Sequence, residues 1–289
     1  MMPLKNPTKH SQFLFVAASV LLASGALAVA DTVRIEASGS ADCRGDVTQA
    51  EAIARARDEA RLTAIRKVCG TVVQSNTTSI LSVRNDQSQS LLMSEARLVD
   101  EGLVIEERWN LTQSKTLQDP STHTDYLRYT VTGDFEVVRK PEPDNSLSVD
   151  VSLNRKQLLA GQDALTISLS SPEAVYAMVV NLAADEKVYP IYPNTQNPEP
   201  LRLKPKVQVT LPREADSFVL KPWPAPGHRR DLERIRVIVS RQPLALPAAT
   251  GDGAVSLPTF FRWQHERLRK LDWTQAEAVY EVRVPESGP

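Results

Sequence analysis

The three histidines that follow residue 30 lack the spacing of a catalytic or metal-binding site. His123, His228 and His265 stand far apart, each among polar residues. No H-x-H, H-E-x-x-H or C-x-x-C pattern accompanies them, so the sequence predicts no zinc site. The chain also lacks the G-x-S-x-G turn of hydrolases and the glycine-rich loops that hold nucleotide phosphates. We therefore expect solvated histidines, no metal and no cofactor.

Acidic pairs such as Asp100-Glu101 and Glu106-Glu107 are the remaining candidates for catalysis. A glycosidase needs two carboxylates roughly 5 to 10 Å apart. Consecutive residues of a strand face opposite sides of the sheet, so a strand would split each pair. We predict a protein that is not an enzyme. The alternative is an enzyme of unfamiliar type, since catalytic groups can converge from distant positions.

A segment rich in aromatics and prolines is the best candidate for binding a partner. Tyr189, Tyr192 and Asn194 lie between Tyr189 and Pro200, and Trp223 follows later between two prolines. Rigid aromatic loops suit contact with a peptide or protein. The alternative is that the tyrosines fill the core of the fold. Two basic clusters, at His228 to Arg230 and at Arg262 to Lys270, are interpreted as solvated faces, with anionic polymers as the alternative partner.

The first thirty residues have the pattern of a secretory signal peptide. Lys5 and Lys9 precede an apolar run from Phe13 to Leu22, and the small residues of Ala28-Val29-Ala30 predict cleavage after Ala30. The run is shorter than the roughly 20 residues that span a bilayer, and no later stretch is apolar enough. Residues 31–289 carry 32 basic and 35 acidic residues, because the leader removes two of the 34 basic ones. We expect a periplasmic or secreted protein that does not bind nucleic acid.

The two cysteines, Cys43 and Cys69, stand at either end of a predicted helix. An even number of cysteines in an exported protein indicates a disulfide. An unbroken helix from Thr48 to Cys69 would be roughly 30 Å long, whereas bridged Cα atoms lie within about 7 Å of each other. The geometry favours unpaired thiols. A disulfide remains the alternative if the helix is shorter or kinked.

The chain divides at a proline-containing segment, residues 141–146, which predicts a linker. Residues 31–140 combine strand patterns with one alanine-rich helix, Val47 to Gly70, whose apolar residues recur every three or four positions. Residues 147–289 contain six or seven short alternating strands, among them Lys187 to Tyr192, then a helix at Thr259 to Leu271 and a final strand at Val279 to Val284. We predict an α+β protein: a small antiparallel sheet with one long packed helix, followed by a β-sandwich with a C-terminal helix.

Both halves resemble known families. The strand ending Ala37-Ser38-Gly39, the helix ending Cys69-Gly70 and the closing strand Tyr129 to Gly133 are similar to the amino-terminal domain of flagellar assembly protein T and related envelope lipoproteins. Residues Ala160 to Ile167, Ala174 to Tyr176 and Val188 to Asn194 closely resemble the family called domain of unknown function 4384. That second resemblance implies a binding or accessory module without catalytic residues. The sequence His228 to Asp231 departs from the family by lengthening a loop.

These observations lead to two functional hypotheses of different classes. The first is a periplasmic accessory protein that binds other envelope proteins in an assembly or scaffold role. The second is a module that binds peptidoglycan or another envelope polysaccharide. Neither resemblance assigns the protein to flagellar assembly, because fold is a poor guide to partner.

Overall fold

The computed structural model describes residues 32–69, 102–247, 251 and 253–285. It confirms the predicted fold class, α+β, with a helix on a small antiparallel sheet followed by a strand-rich part and a second helix. The predicted signal peptide and its cleavage site after Ala30 lie outside the described residues, as does the acidic pair Asp100-Glu101. No described helix is long and apolar enough to cross a bilayer.

The N-terminal sheet has three antiparallel strands in the order β1-β3-β2. These are β1 (Thr32–Cys43), β2 (Gly102–Gln118) and β3 (Asp125–Arg139), and α1 (Gln49–Cys69) crosses one face. A reciprocal cap begins α1: Thr48 Oγ1 accepts from the Glu51 amide at 3.2 Å, and Glu51 Oε2 accepts from the Thr48 amide at 2.7 Å.

Helix α1 lies unusually close to β1 because the contact consists of small residues. Ala56 and Ala60 are fully buried against the sheet. A Cβ added to Gly39 would lie 2.3 Å from both the Ala56 carbonyl oxygen and the Ala60 amide nitrogen. The small alanine side chains of the helix and the missing side chain of Gly39 therefore both allow the close approach of α1 to β1.

The C-terminal part is a β-sandwich. One sheet has the order β10-β6-β4, and the other has the order β12-β8-β7-β11-β13-β5, with β9 also paired to β7. The strands are β4 (Asp150–Leu153), β5 (Gln157–Leu159), β6 (Ile167–Ser170), β7 (Val175–Leu182), β8 (Lys187–Tyr192), β9 (Leu201–Leu203), β10 (Val209–Leu211), β11 (Arg230–Ser240), β12 (Val255–Ser256) and β13 (Trp273–Arg283).

The two sheets enclose the largest apolar core, which includes Ile167, Val179, Val237 and Tyr280. Helix α2 (Leu257–Leu268) covers the other face of the larger sheet through Phe260 and Leu268. Phe261 of α2 also packs against Leu103, Ile105 and Val138 of the N-terminal sheet. One helix thus contacts both halves of the chain.

Residues 141–146, the predicted linker, contact the sandwich. The Asp144 amide donates to the Trp273 carbonyl at 2.6 Å, and the Asp144 carboxylate pairs with Arg241 at 3.3 Å. The described residues cluster as one unit in space. The division into two separately folding domains, residues 31–140 and 147–289, stays a prediction.

The two cysteines stand apart in the structure. Cys43 donates from Sγ to the Val47 carbonyl at 3.1 Å, just before α1, whereas buried Cys69 is the last residue of that helix. An unbroken helix of 21 residues spans roughly 30 Å. This geometry keeps the two sulfurs from meeting within one chain.

Candidate partner-binding surface

The predicted residues of the proline-rich loop have structural partners. Tyr189, on β8, donates its hydroxyl to Asp185 at 2.6 Å. Tyr192 is 1% exposed and packs in the sandwich core beside Phe218. Asn194 Oδ1 accepts two backbone amides of its own turn, and Nδ2 donates to the Ile191 carbonyl at 2.7 Å. For Tyr192, the arrangement matches the alternative in which a tyrosine fills the core.

A charged pair lies over the buried Tyr192 ring. The Arg213 guanidinium is 5.0 Å from the ring centroid, and Asp216 accepts from the Arg213 amide at 2.6 Å. Burial, together with the neighbouring Asp216 carboxylate, raises the pKa of Tyr192 to about 12. Within the described part of the chain, the Tyr192 hydroxyl has no partner in hydrogen-bond geometry, although Asp216 and Arg213 act on it electrostatically. We assign this group to packing.

Trp223 is the predicted residue that the structure leaves accessible. Its side chain is 61% exposed, and one edge of the indole packs on Gly161, where an added Cβ would lie 2.7 Å from Trp223 Cζ2. Gly161 has φ +72°, a conformation that L side chains rarely adopt. Glycine at this turn therefore provides both the backbone conformation and the space that hold the ring in place.

Trp223 is separated from the tyrosines by the width of the sheet. Gly161 follows β5, the edge strand at one side, whereas Tyr189 and Tyr192 lie on β8 near the other side. Three strands lie between β5 and β8, so the two strands are roughly 19 Å apart at about 4.8 Å per strand. The structure does not bring the four predicted residues into one site.

The chain leading to Trp223 forms an extended surface, residues Ser217 to Trp223, which we name the Trp223 segment. Phe218 and Leu220 point inward against the sandwich core, whereas Val219, Lys221 and Trp223 are exposed. Val219, between these two packed side chains, is 62% exposed. The sequence prediction missed Val219 and Lys221, although the alternation of inward and outward residues was visible from Phe218 onward.

A buried carboxyl group with a raised pKa lies away from this surface. Glu233 of β11 accepts hydrogen bonds from the Tyr280 hydroxyl and from Asn181 Nδ2. Burial raises the pKa of Glu233 to about 7, against the opposing effect of these two donors. The Glu233 side chain is enclosed between β7, β11 and β13, so its arrangement is that of a buried polar group satisfied by neighbours.

His228, Arg229 and Arg230, the residues that depart from the family pattern, contact α1. Glu51 Oε1 accepts the amides of Arg229 and Arg230 at 2.9 and 3.0 Å. The hydrogen bond with Asp231 raises the pKa of His228, which is buried at this contact. The lengthened loop thus connects the sandwich to the start of the N-terminal helix.

A groove of about 440 Å³ lies between the N-terminal sheet and α2. Its charged residues largely pair with one another: Arg34 with Glu136 at 3.2 Å, and Arg262 with Glu106 at 3.4 Å. His265 in its wall contacts the Arg139 carbonyl at 3.2 Å. The groove includes none of the predicted partner-binding residues.

The described residues contain no cluster of histidine, cysteine or carboxylate side chains able to hold a metal ion. His123 lies in the β2–β3 turn with φ +55°, far from His228 and His265 in the sequence. Glu106 and Glu107, the acidic pair of β2, differ in environment: Glu106 is exposed, whereas Glu107 is largely buried against Arg61.

Comparison with known proteins identifies one segment of the chain. Residues 159–243 match the family described as a domain of unknown function, DUF4384. No curated protein matches the chain. The DUF4384 segment runs from the end of β5 through β11, and it contains all four predicted partner-binding residues and the whole Trp223 segment.

The sheet that carries the DUF4384 segment depends on residues beyond it. β13, which follows the matched region, pairs with β11 on one side and with β5 on the other. Helix α2, also beyond the match, covers the second face of the sheet. The folded unit of this chain is therefore larger than the matched segment.

Proposed function

We propose that this chain is a non-enzymatic accessory protein of the cell envelope that binds other envelope proteins. In this proposal residues 1–30 direct export and are removed after Ala30, which releases the protein into the periplasm or the medium. Edman sequencing of the protein purified from cells tests the export step. A mature N-terminus at Asp31 supports it, and a chain that retains Met1 contradicts it.

The observation that carries the proposal is the position of Trp223. Tryptophan is enriched among the residues that dominate protein interfaces, because it contributes a large apolar area with few rotatable bonds. Its contact with Gly161 restrains the ring before any partner arrives, which reduces the ordering cost of binding. Val219, two side chains away on the same face, extends the apolar surface.

Site-specific crosslinking in living cells tests this proposal. A photo-reactive amino acid at position 219 is expected to capture a defined set of envelope proteins, and Trp223→Ala is expected to reduce that yield at least fivefold. Position 207, a valine that is 47% exposed in the same half, serves as the matched control. Equal capture at positions 219 and 207, or no effect of Trp223→Ala, would contradict a binding role for this surface.

Peptidoglycan or polysaccharide binding is the second candidate. It is favoured by the exposed indole of Trp223 and by the cations that follow it, Arg229 and Arg230. Co-sedimentation with purified cell-wall sacculi distinguishes the two candidates. Salt-resistant pelleting that Trp223→Ala abolishes supports polysaccharide binding, and full recovery in the supernatant removes it. The assembly role would draw on the N-terminal resemblance read from the sequence, a region that the family match at residues 159–243 does not include.

A further inference from the structure

We propose that the Trp223 segment binds an extended, acidic segment of a partner protein by strand addition. This inference rests on the proposed protein-binding function and adds the chemistry of the partner. Strand addition combines main-chain hydrogen bonds with contacts to alternate side chains, and it requires an extended chain with an open edge.

The backbone of the segment provides such an edge. Leu220 forms an antiparallel bridge with Leu165, whose amide donates to the Leu220 carbonyl at 2.8 Å. Because backbone groups alternate in direction along an extended chain, the amides and carbonyls of Val219 and Lys221 point away from Leu165. Within the described part of the chain, none of these four groups forms a backbone hydrogen bond. They are the donors and acceptors that an added strand needs.

Pro222 lies at a position where its missing N–H does not matter. In an extended chain its backbone faces the same way as that of Leu220, towards Leu165, so the lost donor falls on the inner edge. The outward edge keeps the Val219 and Lys221 amides intact. A proline at either of those two positions would remove one of the donors that the proposal requires.

The exposed side chains favour a partner whose apolar residues lie on either side of an acidic residue, all on one face of its strand. Val219 and Trp223 flank Lys221 on the solvent face, at a spacing of two residues. Gly161 holds one edge of the Trp223 ring, and the remainder of the ring is exposed to a chain that runs beside it.

Charge selects an acidic partner. The stretch from Ser217 to Arg230 contains three positively charged residues and one histidine but no aspartate or glutamate. Arg230 pairs with Asp46 at 3.5 Å, and His228 pairs with Asp231. Lys221 and Arg229 are exposed and form no ion pair with another residue of the described ranges. These two cations are available to complement carboxylates of the partner.

Fluorescence anisotropy with the purified full-length mature chain tests the proposal. The probe is a fluorescein-labelled peptide, Gly-Asp-Thr-Val-Thr-Asp-Thr-Val-Gly, in which acidic and apolar residues alternate on one face of an extended chain, and the comparison peptide replaces its two acidic residues by lysine. We expect the acidic peptide to bind at least tenfold more tightly than the basic one. Equal binding of the two peptides, or no binding of either, would overturn the proposal.

Matched variants locate the bound peptide. Lys221→Glu is expected to weaken the acidic peptide at least tenfold, and Val219→Pro is expected to abolish its binding by removing the outward amide. Val207→Thr, on an exposed site elsewhere in the sandwich, should leave affinity unchanged. Circular dichroism establishes that each variant is folded. Should Val219→Pro not fold, Lys221→Glu decides, and an unchanged affinity in a folded Lys221→Glu variant would reject the site.

The result separates this inference from the proposed function. Crosslinking from position 219 in cells, without peptide binding in vitro, would reject strand addition of an acidic segment while the protein-binding function stands. Pelleting with phosphatidylglycerol vesicles, in the absence of peptide binding, would reject the inference in favour of an anionic surface. If neither peptide binding in vitro nor crosslinking from position 219 in cells is found, both the inference and the proposed function are rejected.

Discussion

Arg61 of α1 and Glu107 of β2 form a buried, two-pronged ion pair. Arg61 Nε donates to Glu107 Oε2 and Arg61 Nη2 donates to Glu107 Oε1, both at 2.7 Å. Arg61 also pairs with Glu186, just before β8, at 2.8 Å. Burial alone would lower the pKa of Arg61, but the Glu107 and Glu186 carboxylates raise it. One guanidinium therefore joins the N-terminal helix, the N-terminal sheet and the sandwich.

Replacing Arg61 by alanine is expected to destabilise the protein strongly. The Arg61 side chain is only 8% exposed and that of Glu107 only 11%, so the variant leaves a buried carboxylate without its partner. Breaking such a pair costs about 3 to 5 kcal/mol. Urea denaturation measures the free energy of unfolding. Arg34→Ala, which removes an arginine that is 82% exposed, is the control and should change stability by less than about 1 kcal/mol. Similar losses in both variants would contradict a special role for Arg61.

Glu51 is expected to hold the loop of residues 228–231 against α1. Glu51→Ala removes half of the helix cap and leaves the amides of Arg229 and Arg230 without their acceptor. We expect a loss of about 2 to 4 kcal/mol and faster hydrogen exchange at those two amides. Hydrogen exchange read by mass spectrometry provides the local measurement. Glu59→Ala, on the same helix, is the control, and unchanged exchange at residues 229–230 would show that the contact is unimportant.

Glu233 should make stability fall as pH rises. Its folded pKa of about 7 exceeds the ordinary value of 4.5 expected for the unfolded chain. Below about pH 4.5 both states hold the proton, and between these values the unfolded state loses it first, so folding becomes less favourable. Glu233→Gln should remove this slope and add on the order of 2 to 3 kcal/mol of stability at pH 8.

The measurement is urea denaturation of the wild type and Glu233→Gln from pH 4.5 to pH 8. Glu173→Gln, whose side chain is 46% exposed in the wild type, controls for the loss of a carboxylate. An equal slope in wild type and Glu233→Gln would mean that Glu233 ionises normally in the folded protein. In that case the hydrogen bonds from Tyr280 and Asn181 outweigh the effect of burial.

Gly39 is expected to tolerate no side chain. In Gly39→Ala the new Cβ would lie 2.3 Å from backbone atoms of the helix. The helix itself would have to move, because the clash is with backbone atoms and not with the end of a flexible side chain. Overpacking of this kind costs about 1 to 3 kcal/mol or more. Thermal unfolding followed by circular dichroism tests it. Gly251→Ala, where a Cβ meets no atom within 4 Å, is the control. A melting temperature equal to the control's would contradict the close packing of α1 on β1.

The cysteines are expected to remain thiols within one chain. Titration of the denatured, unreduced monomer with a thiol reagent should detect two thiols, because an α1 helix of 21 residues separates Cys43 from Cys69. Cys43→Ser should lower the count to one. Zero thiols in a monomeric sample would show that the two cysteines pair, and would require α1 to end earlier or bend.

Much of the fold is visible in the sequence because periodicity reports burial directly. The alanine stripe predicted α1, and the structure begins that helix at Gln49 and ends it at Cys69. β8 has the predicted bounds, Lys187–Tyr192. β5, β9 and β12 were missed because strands of two or three residues are too short to show alternation. β13 begins six residues before the predicted strand, since polar side chains cover its helix-facing side.

The sequence by itself determined the fold class, the long helix and the match to an uncharacterised family. Only the tertiary structure decided which aromatic residue is available to a partner. Tyr192 and Trp223 both adjoin prolines in the sequence, yet one is 1% exposed and the other 61%. Burial depends on which distant strand covers a residue. Contacts of this kind link remote positions, as Glu51 and Arg229 do across 178 residues of sequence. The local sequence pattern indicates which residues favour burial. The packing of segments that are remote in the sequence determines which of those residues are buried.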